Sequence, residues 1–329
     1  MPAKKKRKPA AAAPRAPARA GTLALVGRPN VGKSTLLNAL LGERLAITSH
    51  QPQTTRDRIA GILTVERAQY VFLDTPGVHA PRHKLGERMN DLAKSAAAEA
   101  DVAIFVTDVR VRGETLDATP SDEDLAILAT IPEGKPTLLV VNKVDRVQPK
   151  SLLFPLLEAW QKARPTATLI PVSAMKRDGV PRILAEAGAL LPEGEPLYPP
   201  DELSDKPVRF FVSELVREQI LKRTRQEVPH GVAVTVDAFE DGAKMARITV
   251  TIHVAKESHK GILIGDKGAM LRTIGSEARR RAESLLGKKV HLQTFVRATP
   301  GWFDDAARLA DLGYGDGGTK RKKRSRVDP

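Results

Sequence analysis

The sequence contains no cysteine. Disulfides and thiolate metal sites are excluded, and the chain suits a reducing compartment such as the cytosol. It also lacks any run of about 18 apolar residues, so no segment is expected to span a membrane. The basic N-terminus lacks the apolar stretch of a secretory signal. A third shortage lies in the charge of the interior. The net charge is +14, yet residues 21–195 are neutral and residues 196–318 carry +2. The remaining +12 sits in residues 1–20, with seven Lys/Arg and no acid, and residues 319–329, with six Lys/Arg and one acid. The basic balance thus reports the two ends and says little about either body between them.

What is present is a chain of 329 residues, 41% hydrophobic, long enough for two domains with buried cores. Residues 1–20 are Ala, Pro, Lys and Arg without apolar periodicity, and they read as a disordered basic arm. Residues 316–329 read as a matching tail. The run Lys4 to Lys8 would suit nuclear import, but a solvated arm weakly attracting RNA is the plainer reading, and Lys320 to Arg326 reads the same way.

Between the ends, short apolar runs alternate with amphipathic stretches. Strands are predicted at 22–26, 59–65, 69–73, 102–106, 137–141 and 168–172, and helices near 33–41, 84–98, 122–131, 150–163 and 180–191. Compact apolar strands separated by helices predict a mostly parallel sheet covered on both faces. The gap between 59–65 and 69–73 is too short for a crossover helix, so that pair reads as an antiparallel hairpin. A proline-rich stretch at 192–207 marks a linker, taken as 196–207, that ends a first domain at 21–195. Beyond it the pattern predicts a helix near 208–225 and strands near 232–239 and 246–255. A glycine-punctuated segment at 261–268, a basic helix at 268–286 and a strand at 289–297 follow. That order suggests a smaller α+β domain.

Gly27-Arg28-Pro29-Asn30-Val31-Gly32-Lys33-Ser34 matches the phosphate loop G-x-x-x-x-G-K-[ST], with a strand before it and a helical run after it. Such a loop curls its N–H groups toward phosphate oxygens, and the next helix offers its positive end to the same anion. Lys33 would reach the β/γ-phosphates, and the Ser34 hydroxyl would ligate Mg²⁺. Asp74-Thr75-Pro76-Gly77 ends the second strand of the hairpin. Its carboxylate suits Mg²⁺, and the Gly77 N–H suits the γ-phosphate. Asn142-Lys143-Val144-Asp145 ends another apolar strand. The Asp145 carboxylate can accept from the ring N–H and exocyclic amine of guanine, a pair of donors adenine does not offer there. Asn142 would brace the loops, and the Lys143 stem would cover a base face. Ser173-Ala174 fits the loop offering an N–H to the guanine oxygen. An ATPase with a fortuitous NKxD is the weaker reading.

Gln53-Thr54-Thr55-Arg56-Asp57 lies where a switch threonine could add a hydroxyl to Mg²⁺ and leave after hydrolysis. Thr54 and Thr55 are both open for that role, with Thr55 carried as the working ligand beside Ser34 and Asp74. Lys33, Thr55 and Gly77 are the candidate catalytic positions. Val78 follows Gly77, where many switch GTPases place a water-orienting glutamine. Valine cannot do this, so slow hydrolysis is expected, or a water held by backbone, a metal ion or a partner. His79 and His83 read as polar switch residues without a third metal ligand in reach.

In this order and spacing the motifs resemble the Era family of bacterial GTPases. Ile264-Gly265-Asp266-Lys267-Gly268, in an apolar and basic frame that includes Arg272, resembles the GxxG turn of that family's KH domain, which clamps about four nucleotides of single-stranded RNA. Lys256 to Lys289 carry nine Lys/Arg against four acids. GWFDDAARLADLGY resembles the family's C-terminal helix. The resemblance covers roughly residues 21–315. It implies an α/β P-loop GTPase domain followed by a KH-type α+β domain at 208–315. It also implies GTP/GDP, Mg²⁺, the 3′ region of small-subunit (16S) ribosomal RNA and the 30S subunit as ligands and partners, in the cytoplasm with peripheral contact at the inner membrane, and no DNA. Asn30 falls where some related GTPases ligate K⁺. The rival expectation is a GTP-dependent switch that recruits a protein or membrane partner.

Overall fold

A computed structural model describes residues 18–315 apart from His50, Pro52, Arg82, Glu114, Gln226 and Glu227. The basic arm up to residue 17 and the tail from 316 lie outside the described residues. In chain order the first domain runs β1 (Arg19–Val26), α1 (Lys33–Leu41), β2 (Ile59–Val65), β3 (Ala68–Asp74), α2 (Lys84–Glu99) and β4 (Val102–Asp108). It continues through a two-residue hairpin of β5 (Val111–Arg112) and β6 (Thr115–Leu116), then α3 (Asp122–Leu128), β7 (Thr137–Asn142), α4 (Phe154–Ala163), β8 (Thr168–Pro171) and α5 (Val180–Leu190).

Six strands form one sheet in the order β2-β3-β1-β4-β7-β8. Every pairing is parallel except β2 against β3, which is the expected hairpin. The strands are apolar on both faces because both faces are covered. Leu23, Ile104 and Val140 pack with Leu36, Leu37 and Ile183 on one side. Ala24, Phe105 and Val141 pack with Ala96, Ile127 and Trp160 on the other. All the strand-to-helix loops that matter therefore emerge at one sheet edge, the carboxyl ends of β1, β3, β4, β7 and β8.

The structure differs from the sequence expectations in four places. β1 begins at Arg19, inside the expected arm, because Arg19 and Ala20 pair with Ala68 and Gln69. The linker is strapped to the sheet, with Gln69 Oε1 accepting from Leu197 N and Tyr198 N and Ile62 N donating to Leu203 O. The first half of the segment taken as 261–268 is the last turn of a helix, α7 (Glu257–Ile264), which ends at the GxxG turn. The C-terminal helix is short, α9 (Ala306–Leu309), followed by a wide turn broken at Gly313, whose φ is 85°.

The second domain starts with α6 (Val208–Arg223), β9 (Val232–Asp241) and β10 (Met245–Val254), and after α7 come α8 (Ala269–Leu286) and β11 (Lys289–Ala298). β10 is the central strand, antiparallel to β9 and parallel to β11. Helices α6, α7 and α8 cover one face through Val216, Ile220, Leu263, Ile274 and Ala278. The two domains share a small apolar seam. Leu85 and Met89 of α2 pack with Ala233, Trp302 and Leu309.

Candidate functional site

The loop Gly27 to Ser34 joins β1 to α1 and closes on itself. Gly32 has φ 102°, and a Cβ there would lie 2.3 Å from Asn142 Nδ2. Asn142 in turn donates from Nδ2 to Val31 O (2.9 Å) and accepts from Ala174 N (3.0 Å). One buried amide thus ties the phosphate loop to the loop after β8. Lys33 is buried, and its Nζ donates to Gly27 O (2.9 Å) and Arg28 O (2.8 Å). Burial pushes its pKa down to about 8, with Asp74 pulling the other way.

Three side-chain oxygens meet beside Lys33. Ser34 Oγ donates to Asp74 Oδ2 (2.7 Å), Thr55 Oγ1 donates to the same oxygen (3.1 Å), and the two hydroxyls are 2.9 Å apart. Asp74 is fully buried, and its Oδ1 has no hydrogen-bond partner. Burial raises its pKa against the pull of Ser34 and Lys33. An all-oxygen donor set with a buried carboxylate oxygen to spare fits a hard cation such as Mg²⁺. Thr54 turns elsewhere, donating from Oγ1 to Gln51 O (2.7 Å). Of the two open threonines, the structure brings Thr55 to the cluster.

Thr75 anchors the next loop by donating to Leu25 O (2.6 Å). Pro76 and Gly77 then pass over the phosphate loop so closely that a Cβ on Gly77 would lie 2.7 Å from Pro29 Cα and N. Val78 packs against the apolar core and offers no polar side-chain atom. His79 is clipped to α2, its N donating to Asn90 Oδ1 (3.2 Å) and its O accepting from Asn90 Nδ2 (2.7 Å). Its Nε2 lies 2.9 Å from Gln53 Nε2, joining the two switch loops. His83 caps α2 by accepting from Gly86 N (3.1 Å).

At the far end of the cleft Asp145 is half-buried and accepts from Ser173 Oγ (2.7 Å), which holds its carboxyl below the usual range. Val144 N donates to Val172 O (3.2 Å), seating the loop. Sequence reading missed the bracket beneath. Arg28 pairs with Asp124 (2.7 Å) and Asp108 (3.1 Å), and Lys143 Nζ reaches Asp108 (2.6 Å) and Asn30 O (2.6 Å). Asp108 lies where β4 ends, at the sheet edge that carries the other loops, and that position was its available signal. Of the switch segment, Gln53 and Thr55 face this cleft, while Arg56 and Asp57 point to groups outside it: Arg56 to the second domain, Asp57 to Lys206 (2.7 Å) and Arg88 (3.5 Å).

In the second domain Ile264 ends α7, and the turn Gly265 to Gly268 leads into α8. Gly265 has φ 70° and ψ −179°, a conformation confined to glycine, and a Cβ would meet Met270 at 2.8 Å. Asp266, Lys267 and Arg272 are exposed. Most nearby basic groups are neutralised: Arg279 by Glu283, Arg280 by Glu277, Arg281 by Glu218, Lys260 by Glu257 and Lys288 by Asp241. Among the described residues Lys256, Lys267, Arg272 and Lys289 have no carboxylate partner. Lys267 lies in the turn and Arg272 in the first turn of α8, beside the exposed Asp266.

Comparison with known proteins agrees with both halves. A family model described as 50S ribosome-binding GTPase matches residues 22–143, and a KH domain model matches residues 227–303. The chain is 43% identical to the GTPase Era of Geotalea uraniireducens over 298 residues, covering 90% of this chain and 98% of the relative. It is 42% identical to that of Syntrophus aciditrophicus over 301 residues, with 91% and 96% covered. Among solved structures, an Aquifex aeolicus Era variant bound to GDP.AlF4- superposes with a TM-score of 0.85 at 37% identity, covering 90% of this chain and 99% of that one. Era in complex with MgGDPNP and nucleotides 1506–1542 of 16S ribosomal RNA also gives 0.85, at 36% identity and 91% and 99% coverage. With a nucleotide cleft in one half, a GxxG turn in the other and this identity across nine-tenths of its length, the chain belongs to the Era family of GTPases.

Proposed function

We propose that the chain holds the 3′ region of 16S ribosomal RNA at its GxxG turn when GTP occupies the cleft, releases it after hydrolysis, and so assists 30S assembly. One observation carries the reading: an oxygen cluster suited to Mg²⁺ and a GxxG turn with a glycine-only backbone stand in one chain, and an Era of matching length was solved with both kinds of ligand.

In this reading Asp145 selects guanine through two accepted hydrogen bonds. Asn142 keeps the phosphate loop and the Ser173-Ala174 loop in register, and the Lys143 stem covers one face of the base. The backbone N–H groups of the phosphate loop and the Lys33 ammonium hold the polyphosphate, whose negative charge opposes the pull of burial on Lys33 and keeps it protonated. Ser34, Thr55 and Asp74 would hold Mg²⁺, which shields the charge that builds on the β/γ-phosphates. The Gly77 N–H reports the γ-phosphate. Position 78 supplies no side-chain group for the attacking water, so backbone and a monovalent cation beside Asn30 take that part. Asn30 has φ 63°, a left-handed bend in the loop, and its carbonyl accepts from Lys143 Nζ (2.6 Å). Turnover is expected to be on the order of tenfold or more faster in K⁺ than in Na⁺; equal rates in the two salts discard the cation.

Binding of a labelled RNA carrying the 16S 3′ sequence, measured with GDPNP and with GDP, tests the main claim. Affinity should rise with GDPNP and fall steeply with salt. Gly268→Asp is expected to cut RNA affinity at least about tenfold while leaving GTP turnover intact, since its Cβ would meet nothing within 4 Å and the left-handed conformation there (φ 78°) costs an aspartate only about 1–2 kcal/mol, confined to the second domain. RNA binding insensitive to both nucleotide and this substitution refutes the assignment. Among the described residues no helix is long and apolar enough to cross a membrane. The peripheral contact implied by the resemblance is read separately, by flotation with anionic vesicles.

A further inference from the structure

The residues on either side of Thr55 are both held by the second domain. Before it, Thr54 O accepts from Arg217 Nη2 of α6. Arg217 is itself fixed by Glu214, through Nε to Oε1 (2.7 Å) and Nη2 to Oε2 (2.5 Å), and is 1% exposed. After it, Arg56 reaches in the opposite sense, 2% exposed, donating to Val232 O (2.5 Å), Pro229 O (3.0 Å) and His230 O (3.0 Å), with its guanidinium 5.8 Å from the Trp302 ring centroid. Neither arginine touches the nucleotide cleft or the GxxG turn.

The peptide between Thr54 and Thr55 is planar. A donor that fixes Thr54 O therefore fixes the plane from which the Thr55 side chain departs. Thr55 Oγ1 must lie within hydrogen-bond reach of both Ser34 and Asp74 to complete the oxygen cluster. Switch segments of this kind are ordered by the γ-phosphate and its metal and released without them. A clamp that holds the ordered form in advance lowers the cost of binding the triphosphate and leaves the diphosphate untouched.

We infer that Arg217, on the first helix of the second domain, is a positioning residue for GTP binding and hydrolysis: it presents Thr55 to the Mg²⁺ cluster through the Thr54 carbonyl, so that the second domain completes the first domain's site. The inference rests on the assignment of Thr55 as a metal-side residue and does not involve RNA. A methionine matches the length of Arg217 but donates nothing. Lysine can still donate to Thr54 O but cannot fork onto Glu214 at the same time.

The test uses the full chain and fluorescent GDP and GDPNP in Mg²⁺, with single-turnover hydrolysis. Arg217→Met is expected to weaken GDPNP about tenfold and slow hydrolysis by a similar factor. GDP affinity, the internal control for a folded cleft, should stay within about twofold. Arg217→Lys should recover part of the loss. In Thr55→Ala, adding Arg217→Met should cost little more, because both changes act through one hydroxyl. Equal losses for GDP and GDPNP in both the Met and Lys variants, or effects of Arg217→Met and Thr55→Ala that multiply, overturn it. No readout includes RNA, so failure of the ribosomal RNA assignment leaves these results standing, and the reverse.

Discussion

Gly77→Ala is expected to leave GDP binding within a few-fold of the parent and to slow GTP hydrolysis on the order of 10²–10³-fold. The new methyl carbon would stand 2.7 Å from both Cα and N of Pro29 and 2.8 Å from its Cγ. These are backbone and ring atoms, and the phosphate loop they belong to is pinned on both sides. Thr75 holds the crossing loop to Leu25 O, and Val78 N donates to Gly27 O at 3.4 Å. The strain is relieved by moving residue 77 outward, which withdraws its N–H from the place a γ-phosphate would occupy. The diphosphate makes no contact there, so ground-state GDP affinity is spared. Overpacking also costs about 1–3 kcal/mol of stability. Single-turnover hydrolysis and GDP titration on the same preparation decide the matter, and a parental hydrolysis rate in Gly77→Ala refutes the close-approach argument.

The parts of this site that the sequence announces are those whose chemistry is local. Eight consecutive residues make the phosphate loop, and four make each of the two loops at the ends of β3 and β7. Their strands are uninterrupted apolar runs, so both motif and context are visible together. The oxygen cluster is half visible: Ser34 and Asp74 belong to motifs, whereas the choice between Thr54 and Thr55 depends on how the loop turns. Asp108 and Asp124 belong to no motif. They become partners of Arg28 and Lys143 because the end of β4 and the first turn of α3 arrive at one sheet edge. α7 was hidden by Gly261, which reads as a breaker in a segment of eight residues but is tolerated at the exposed surface of a packed helix. The pairing of Arg56 with the start of β9 spans about 175 residues of chain. No spacing rule reaches that far, so an arginine that reads as part of a polar switch proves to be an interdomain plug.

The charge of the chain has the same character. The ends account for most of the net positive charge, while in the KH domain intramolecular ion pairs cancel five of the basic groups between Lys256 and Lys289. Of the cations in that stretch without a carboxylate partner, Lys267 lies in the GxxG turn and Arg272 just after it. Composition alone would assign all the basic character to the termini, whereas ion pairing inside the second domain leaves two cations, Lys267 and Arg272, at a turn whose Gly265 conformation only glycine sustains.

Asp145→Asn should remove most of the preference for guanine over adenine with little change in the phosphate loop. Asp145 makes no contact with Gly27 to Ser34, and its one side-chain partner is the Ser173 hydroxyl. The brace between the loops is Asn142, which is untouched. A carboxylate offers acceptors to both the ring N–H and the amine of guanine. The amide replaces one acceptor with an NH₂ that faces the amine donor to donor, and it removes the negative charge. A site that rejects its wrong substrate by leaving a polar group unpaired discriminates by on the order of 10⁴–10⁵, and most of that margin should vanish. GDP affinity should therefore fall on the order of 10³-fold, about 4 kcal/mol, while the weak affinity for ADP stays flat. Xanthine presents a carbonyl where guanine has its amine, so the same amide can donate to it, and xanthosine diphosphate should bind the variant better than the parent. Competition among the three diphosphates gives all of these numbers at once. A variant that still prefers guanine by several orders of magnitude would mean that another group reads the base.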